Sequence, residues 1–279
     1  MEKMYPMLFT TWKTYSKEQF LKDLIAGIVV AIIALPLSIA VGPEQGIYTA
    51  IVAGFIISFL GGSQVQIAGP TAAFATIVAG IVARNGMDGL AAATILAGII
   101  LIIMGLCRFG GLIKYIPFTI TTGFTSGIAV TIVIGQLKDF FGVTYPEGMP
   151  TIETMEKLKA FLAGIHTFNT DSLIVGLVCL AILIIAPRFT EKIPGSLLAV
   201  IGGILMVQLL PLQVNTIGDL YTISNKLPSF HMPQLSFEMI QTALPDAFTI
   251  AILAAIESLL SCVVADGMIN GKHRSNMEL

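Results

Sequence analysis

Gln64-Val65-Gln66-Ile67-Ala68-Gly69-Pro70-Thr71-Ala72-Ala73-Phe74 separates two long apolar segments, and its polar, Gly-Pro-broken character decides how the chain is read. Proline suits the first position of a helix, where its missing N–H would have no partner anyway and its fixed φ is already helical. The stretch therefore predicts an irregular approach ending at Gly69 and a helix starting at Pro70. A helix start exposes backbone N–H groups equivalent to about half a positive charge. Thr71, Ala72 and Ala73 are small enough to let an anion come close. Irregular backbone at bilayer depth is tolerated only where protein buries it or where it lines a wet cavity. Two readings stay open: an anion site at this helix start, or a Gly-Pro turn that merely begins a short span.

Composition sets the class. Of the 279 residues, 55% are apolar and 11% charged, and the mean hydropathy is +0.88. These values belong to an integral membrane protein, not to a soluble domain. A net charge of −2 without a basic block argues against a nucleic-acid partner. Cys107, Cys179 and Cys262 lie in or at the ends of apolar runs without a CxxC pair. They are expected to be buried small hydrophobes. The first 23 residues are polar, aromatic and basic, with Trp12, Lys13, Lys17, Phe20 and Lys22, as in an interfacial lead-in and unlike a cleavable signal.

A crossing needs about 20 apolar residues, and shorter runs imply broken or buried helices. Eight spans are expected, near 24–41, 47–61, 68–83, 90–107, 118–137, 172–187, 195–212 and 245–266. With the N-terminus cytoplasmic, ten of the 15 Lys and Arg residues fall inside and five outside. That excess predicts both termini in the cytoplasm. Pro36 removes a backbone donor within the first span, so a kink is expected there. Gly123 and Gly127 make a GxxxG pair, most simply a helix contact. The polar connection 138–171 contains an amphipathic surface helix over 151–162. His166, His231 and His273 are isolated from other ligand types, so no metal site or other cofactor is called for.

The last span, Ala247 to Ala265, is apolar except for Thr249, Glu257, Ser258 and Ser261. Glu257 sits near its middle, and an ionisable residue at that depth is expensive and by default functional. Desolvation favours the uncharged acid, whereas a bound Na⁺ would hold it ionised. Ser261, one turn on, shares its face and offers an oxygen ligand or hydrogen bond. The alternative is a structural Glu satisfied by backbone donors. Asp266 is expected at the interface.

Several stretches together resemble one family. Asp23-Leu24-Ile25-Ala26-Gly27 with Leu35-Pro36, Gly46-Ile47-Tyr48-Thr49-Ala50, Gly61-Gly62-Ser63 with Ile67-Ala68-Gly69-Pro70-Thr71, and Glu257-Ser258-Leu259-Leu260-Ser261 with Ala265-Asp266-Gly267 follow the order found in SulP, or sulfate-permease, anion transporters. These are relatives of the eukaryotic solute-carrier family 26. The resemblance implies an all-α polytopic membrane protein built as a 7+7 inverted repeat with a broken third helix. This chain would hold the first seven-helix repeat plus the first helix of the second. It further implies a lead-in over 1–23, core-domain helices 1–4 over 24–107, gate-domain helices 5–7 over 118–212, core-domain helix 8 over 245–266 and a cytoplasmic tail over 267–279.

By the same resemblance, Gly69, Pro70 and Thr71 form the lip of a substrate half-helix, Leu37 and Val41 line its pocket, and Glu257 with Ser261 occupies the ion-coupling position. Na⁺-coupled bicarbonate members carry Asp followed four residues later by Thr. Glu followed by Ser departs from that pair and favours proton coupling. The remaining six helices and the STAS domain usual in the family are absent from these 279 residues, so the chain is expected not to transport alone. The full-length family implies a homodimer.

The function expected is secondary active transport of a small inorganic anion, sulfate first, across the plasma membrane by proton symport or anion exchange. Na⁺-coupled bicarbonate or dicarboxylate transport is the alternative. An anion channel or a non-transporting membrane fragment is the reading from another class. No nucleophile-base pair suggests an enzyme.

Overall fold

The computed structural model describes residues 4–37, 43–67, 69, 71–115, 118–189, 193–222 and 236–279. The order is α1 (Leu8–Thr11), a 3₁₀ turn (Trp12–Thr14), α2 (Lys17–Leu37), α3 (Pro43–Leu60), α4 (Ala72–Leu106), a 3₁₀ segment (Phe109–Tyr115) and α5 (Phe118–Phe140). There follow α6 (Thr154–Gly164), a 3₁₀ turn (Ile165–Thr167), α7 (Thr170–Phe189), α8 (Gly195–Leu209), α9 (Ile217–Leu220), α10 (Phe237–Ile269) and α11 (Ser275–Glu278). Among the described residues all regular structure is helical. The helices over Ala73–Leu106, Thr170–Phe189 and Phe237–Ile269 are long and apolar enough to cross a membrane.

The third and fourth expected spans are parts of one helical stretch divided at Gly86. Its φ of 68° and ψ of −172° interrupt α4. That conformation is open to glycine and strained for other residues. The approach to α4 departs in detail from the expectation. The helix begins at Ala72, two residues after Pro70, and Thr71 takes the extended N-cap conformation with φ −119° and ψ 154°. The cap position thus lies one residue past the proline. Pro70 itself lies outside the described residues.

The last expected span starts earlier than 245. Ser236 accepts a hydrogen bond from the Met239 N–H at 3.1 Å and begins α10 at Phe237, leaving Pro245 inside the helix. A mid-helix proline costs about 3 kcal/mol in isolation. Ala243 and Ala247, on either side of it, are buried against α4 and offset that cost by packing. Ile81, Ala92, Ala93 and Ala97 of α4 meet Ala243, Ala247, Ile250 and Ala251 of α10 in the main buried core. Where lipid is as apolar as the core, small residues are what let two helix backbones approach closely enough to hold together. At the edge of this seam, Arg84 of α4 reaches Asp246 of α10 at 3.0 Å.

Other expectations meet the structure unevenly. The surface helix is present over Thr154–Gly164, with Glu153 and Glu156 forming a reciprocal cap and Ala160, Phe161 and Gly164 turned inward. The described part of α2 ends at Leu37, one residue after Pro36, so the expected kink falls at the edge of the described residues. Among the described residues, Gly123 and Gly127 make no helix contact. No neighbouring atom lies within 4 Å of where their Cβ atoms would stand, and both face a cavity. The cysteines are all free but not all buried: Cys262 is, Cys179 is half-buried and Cys107 is exposed at the end of α4.

Candidate functional site

Thr71 and Glu257 meet inside the bundle. The Thr71 hydroxyl donates to Glu257 Oε2 at 3.0 Å, with Oε1 at 3.3 Å. This hydroxyl would ordinarily cap its own helix, yet no side-chain cap bond is made at the start of α4. The cap residue is turned to a partner on α10. Glu257 is half-buried, and its carboxylate is thus held at the end of α4 where the backbone dipoles leave a positive pole.

The pair opens onto a cavity of about 1010 Å³. Gln66, Ile67, Gly69, Thr71 and Phe74 line one side, Glu257, Ser258 and Ser261 of α10 a second, and Thr122, Phe124, Thr125 and Ser126 of α5 a third. A smaller cavity of about 390 Å³ lies between α4, α5, α6 and α10, and Phe124 and Ile128 border both. Gln66 fastens the approach segment to α10 through contacts at the limit of hydrogen bonding. Its side-chain amide faces the Ser258 carbonyl at 3.5 Å, and its oxygen receives the Cys262 thiol at 3.4 Å.

Gly69, Thr71, Glu257 and Ser261 all border the large cavity. Ser261 does so differently from the expectation: its hydroxyl donates to the Glu257 backbone carbonyl at 2.7 Å and not to the carboxylate. Pro70 and Val41 lie outside the described residues, and of Leu37 only the backbone, at the end of α2, is described. Sequence reasoning missed Gln66 and the α5 wall. The hydroxyl run Thr119 to Ser126 inside an apolar span was the available signal for α5.

His273 is not isolated. Its ring Nδ1 lies 2.7 Å from Asp266 Oδ2, its backbone N–H donates to the same oxygen at 2.9 Å, and Ser275 Oγ lies 2.9 Å from Nε2. Asp266 therefore serves as an anchor for the segment after α10, more than as a solvated interfacial charge. His166 is exposed, as expected for a loop histidine. Among the described residues no His, Cys, Asp and Glu group has the arrangement of a metal site.

Apolar helices enclosing a largely apolar cavity, with a carboxylate and a helix start facing each other at its wall, define a multi-pass membrane protein with an internal site. The sequence model of the sulfate permease family matches residues 20–279, and the chain belongs to that family. It is 38% identical over 276 residues to the putative sulfate transporter YvdB of Bacillus subtilis (strain 168), covering 96% of this chain and 52% of that protein. It is 31% identical over 273 residues to the bicarbonate transporter BicA of Picosynechococcus, covering 92% of this chain and 48% of that one. The solved transmembrane domain of a cyanobacterial bicarbonate transporter BicA superposes with a TM-score of 0.72 at 28% identity, over 92% of this chain and 68% of the other. The chain spans about half the length of the curated relatives it matches. These relatives are transporters by name, which accords with a carrier and not an enzyme.

Proposed function

We propose that this chain supplies the anion-binding part of a secondary transporter for a small inorganic anion, sulfate first, working by proton symport or anion exchange across the plasma membrane. The observation that carries the reading is the Thr71 hydroxyl on the Glu257 carboxylate at the start of α4. An ionised Glu257 is itself the negative partner of that positive helix end. A second anion arriving about 4 Å away would meet a repulsion of about 4 kcal/mol at an effective dielectric near 20. That is about a thousandfold in affinity. A proton on Glu257 removes the repulsion, so proton and anion each favour the binding of the other by the same factor. The likeness to a putative sulfate transporter supports sulfate as the anion.

The family likeness also supports the 7+7 inverted repeat, with 24–107 and 245–266 as core and 118–212 as gate. The ten-to-five distribution of Lys and Arg supports a cytoplasmic N-terminus. In a second reading, Na⁺-coupled transport of bicarbonate or a dicarboxylate, the BicA likeness supports bicarbonate as the anion, and Ser261 lying one turn from Glu257 on the cavity wall supports a cation between them. Here Na⁺ takes the place of the proton.

The test is Glu257→Gln in vesicles where the chain is completed by the second half of a sulfate permease. Anion accumulation driven by a pH gradient is expected to disappear while counterflow exchange remains. Unchanged accumulation would overturn proton coupling. Competition among sulfate, bicarbonate and succinate, with and without Na⁺, decides between the two readings. Saturation separates a carrier from a channel.

A further inference from the structure

The Gly61-Gly62-Ser63 motif and the residues after α10 play no part in the function proposed so far, yet the structure brings them together next to the site. Gly62 is buried and both of its backbone polar groups are held by the segment 273–279. Its N–H donates to Glu278 Oε2 at 2.7 Å, and its carbonyl receives the Arg274 N–H at 2.9 Å. The other Glu278 oxygen, Oε1, accepts the Ser258 hydroxyl at 3.1 Å. One carboxylate therefore joins the start of the approach segment to α10, at the residue next to Glu257.

The fit is close. A Cβ on Gly62 would collide with the Arg274 carbonyl, one on Gly110 with the Ser275 carbonyl, and one on Gly105 would stand 3.0 Å from the Asn276 carbonyl. Glycines thus form the trough in which the segment lies. Its other fastenings are Asp266 on His273, and the Arg274 guanidinium on the Tyr5 and Pro6 carbonyls at 2.7 and 3.2 Å. The segment is consequently held at His273 and Arg274, about one helical turn before Glu278, and its carboxylate is delivered to one place.

We propose that Glu278 is a positioning residue of the anion site: by bridging the Gly62 amide and the Ser258 hydroxyl it sets the distance between the Gln66–Thr71 approach and Glu257. The claim about the anion rests on the function proposed above, whereas the bridge itself does not. Charge-assisted hydrogen bonds are the stronger kind. Removing this carboxylate leaves the Gly62 N–H and the Ser258 hydroxyl without their acceptor, an effect of about tenfold or more on any equilibrium they control.

Cys262 gives a readout within the chain as it stands. It is fully buried and its thiol rests on Gln66 in the same wall. With Cys107 and Cys179 replaced by serine, alkylation of Cys262 by N-ethylmaleimide in membranes is expected to quicken about tenfold in Glu278→Ala. Glu278→Gln keeps an acceptor for Gly62 and a polar partner for Ser258 but, like Glu278→Ala, removes the charge beside Cys262, so it is the reference against which Glu278→Ala is expected to be about tenfold faster. Ser258→Ala removes one arm only and is expected to fall between them, which keeps the test decisive if Glu278→Ala does not fold. Equal alkylation rates in the parent and in Ser258→Ala and Glu278→Ala would overturn the bridge.

The link to the site is read by placing a cysteine at Ser261 with Cys262 also replaced by serine, and following its protection by inorganic sulfate. Half-protection is expected to need about tenfold more sulfate in Glu278→Ala, with Glu278→Gln restoring the parent value. A half-protection concentration unchanged in Glu278→Ala would refute the positioning role. No protection even with Glu278 intact would instead sink the anion reading, while the Cys262 rates still judge the bridge.

Discussion

The hydroxyl of Thr71 is bound to the carboxylate of Glu257, 186 residues further along the chain, instead of to the backbone of the helix it begins. A residue type that normally stabilises its own helix by about 1 kcal/mol as a cap has exchanged that bond for one across the bundle. The exchange fixes the carboxylate at the positive end of α4.

Thr71→Val keeps the side-chain shape and removes the donated hydrogen bond. With the carboxylate no longer held, anion affinity and its pH dependence are expected to change together, by about five- to twentyfold in affinity. Thr71→Phe loses the same hydrogen bond and also fills the lip, so it is expected to shift the pH dependence as Thr71→Val does and to weaken anion binding further. Sulfate protection of a cysteine at position 261 measures both. Affinity unchanged in both variants would count against the site.

Gly86 and Gly127 separate backbone strain from space. Nothing lies near either Cβ position, but only Gly86 has a positive φ, 68°. Gly86→Ala is expected to destabilise the fold by about 1–3 kcal/mol. Gly127→Ala, in the interior of α5, is expected to be neutral or stabilising by up to about 1 kcal/mol. Thermal unfolding in detergent distinguishes them, and equal effects would contradict the geometry.

Gly62→Ala tests the trough in the opposite sense, because there the backbone of 273–279 occupies the space. Overpacking of this kind costs about 1–3 kcal/mol. The same variant is expected to expose Cys262 to alkylating reagent even where the protein remains folded.

A pH effect is expected at α9. The Thr216 hydroxyl and N–H donate to Asp219 at 2.6 and 2.8 Å and hold its carboxyl below the usual carboxylate range. A depressed folded value means that this stabilisation is complete above the ordinary pKa of a free Asp and is lost as pH falls through the lowered one. The protection of the Leu220 amide, which bonds back to the Thr216 carbonyl, measured relative to the intrinsic exchange rate at each pH, is expected to fall in acid and to be low at every pH in Asp219→Asn. Indifference to pH would show that the cap does not hold this turn.

The apolar runs, Gly-Pro interruption and mid-span glutamate were readable because each answers to a one-dimensional rule: length, a missing donor, a charge where none is cheap. The start of α10 was not, since the apolar run was placed from 245 while the helix runs on through Pro245, whose flanking alanines supply tolerance only once α4 is beside them. Gly123 and Gly127 misled in the same way. Spacing says that two helices could touch there, and only the placement of α5 shows that a cavity intervenes. Glu278 gave no signal at all, because its role depends on Gly62, 216 residues away. His273 was unreadable for a related reason: its partner Asp266 lies across a left-handed turn at Asn270.

The alanine seam between α4 and α10 carries a mechanical corollary. Thr71 and Glu257 ride on two helices that are joined along their length, so a displacement of one carries the other with it. The spacing of hydroxyl and carboxylate is then conserved through any such displacement, because the packed alanines, and not the polar pair, bear the load.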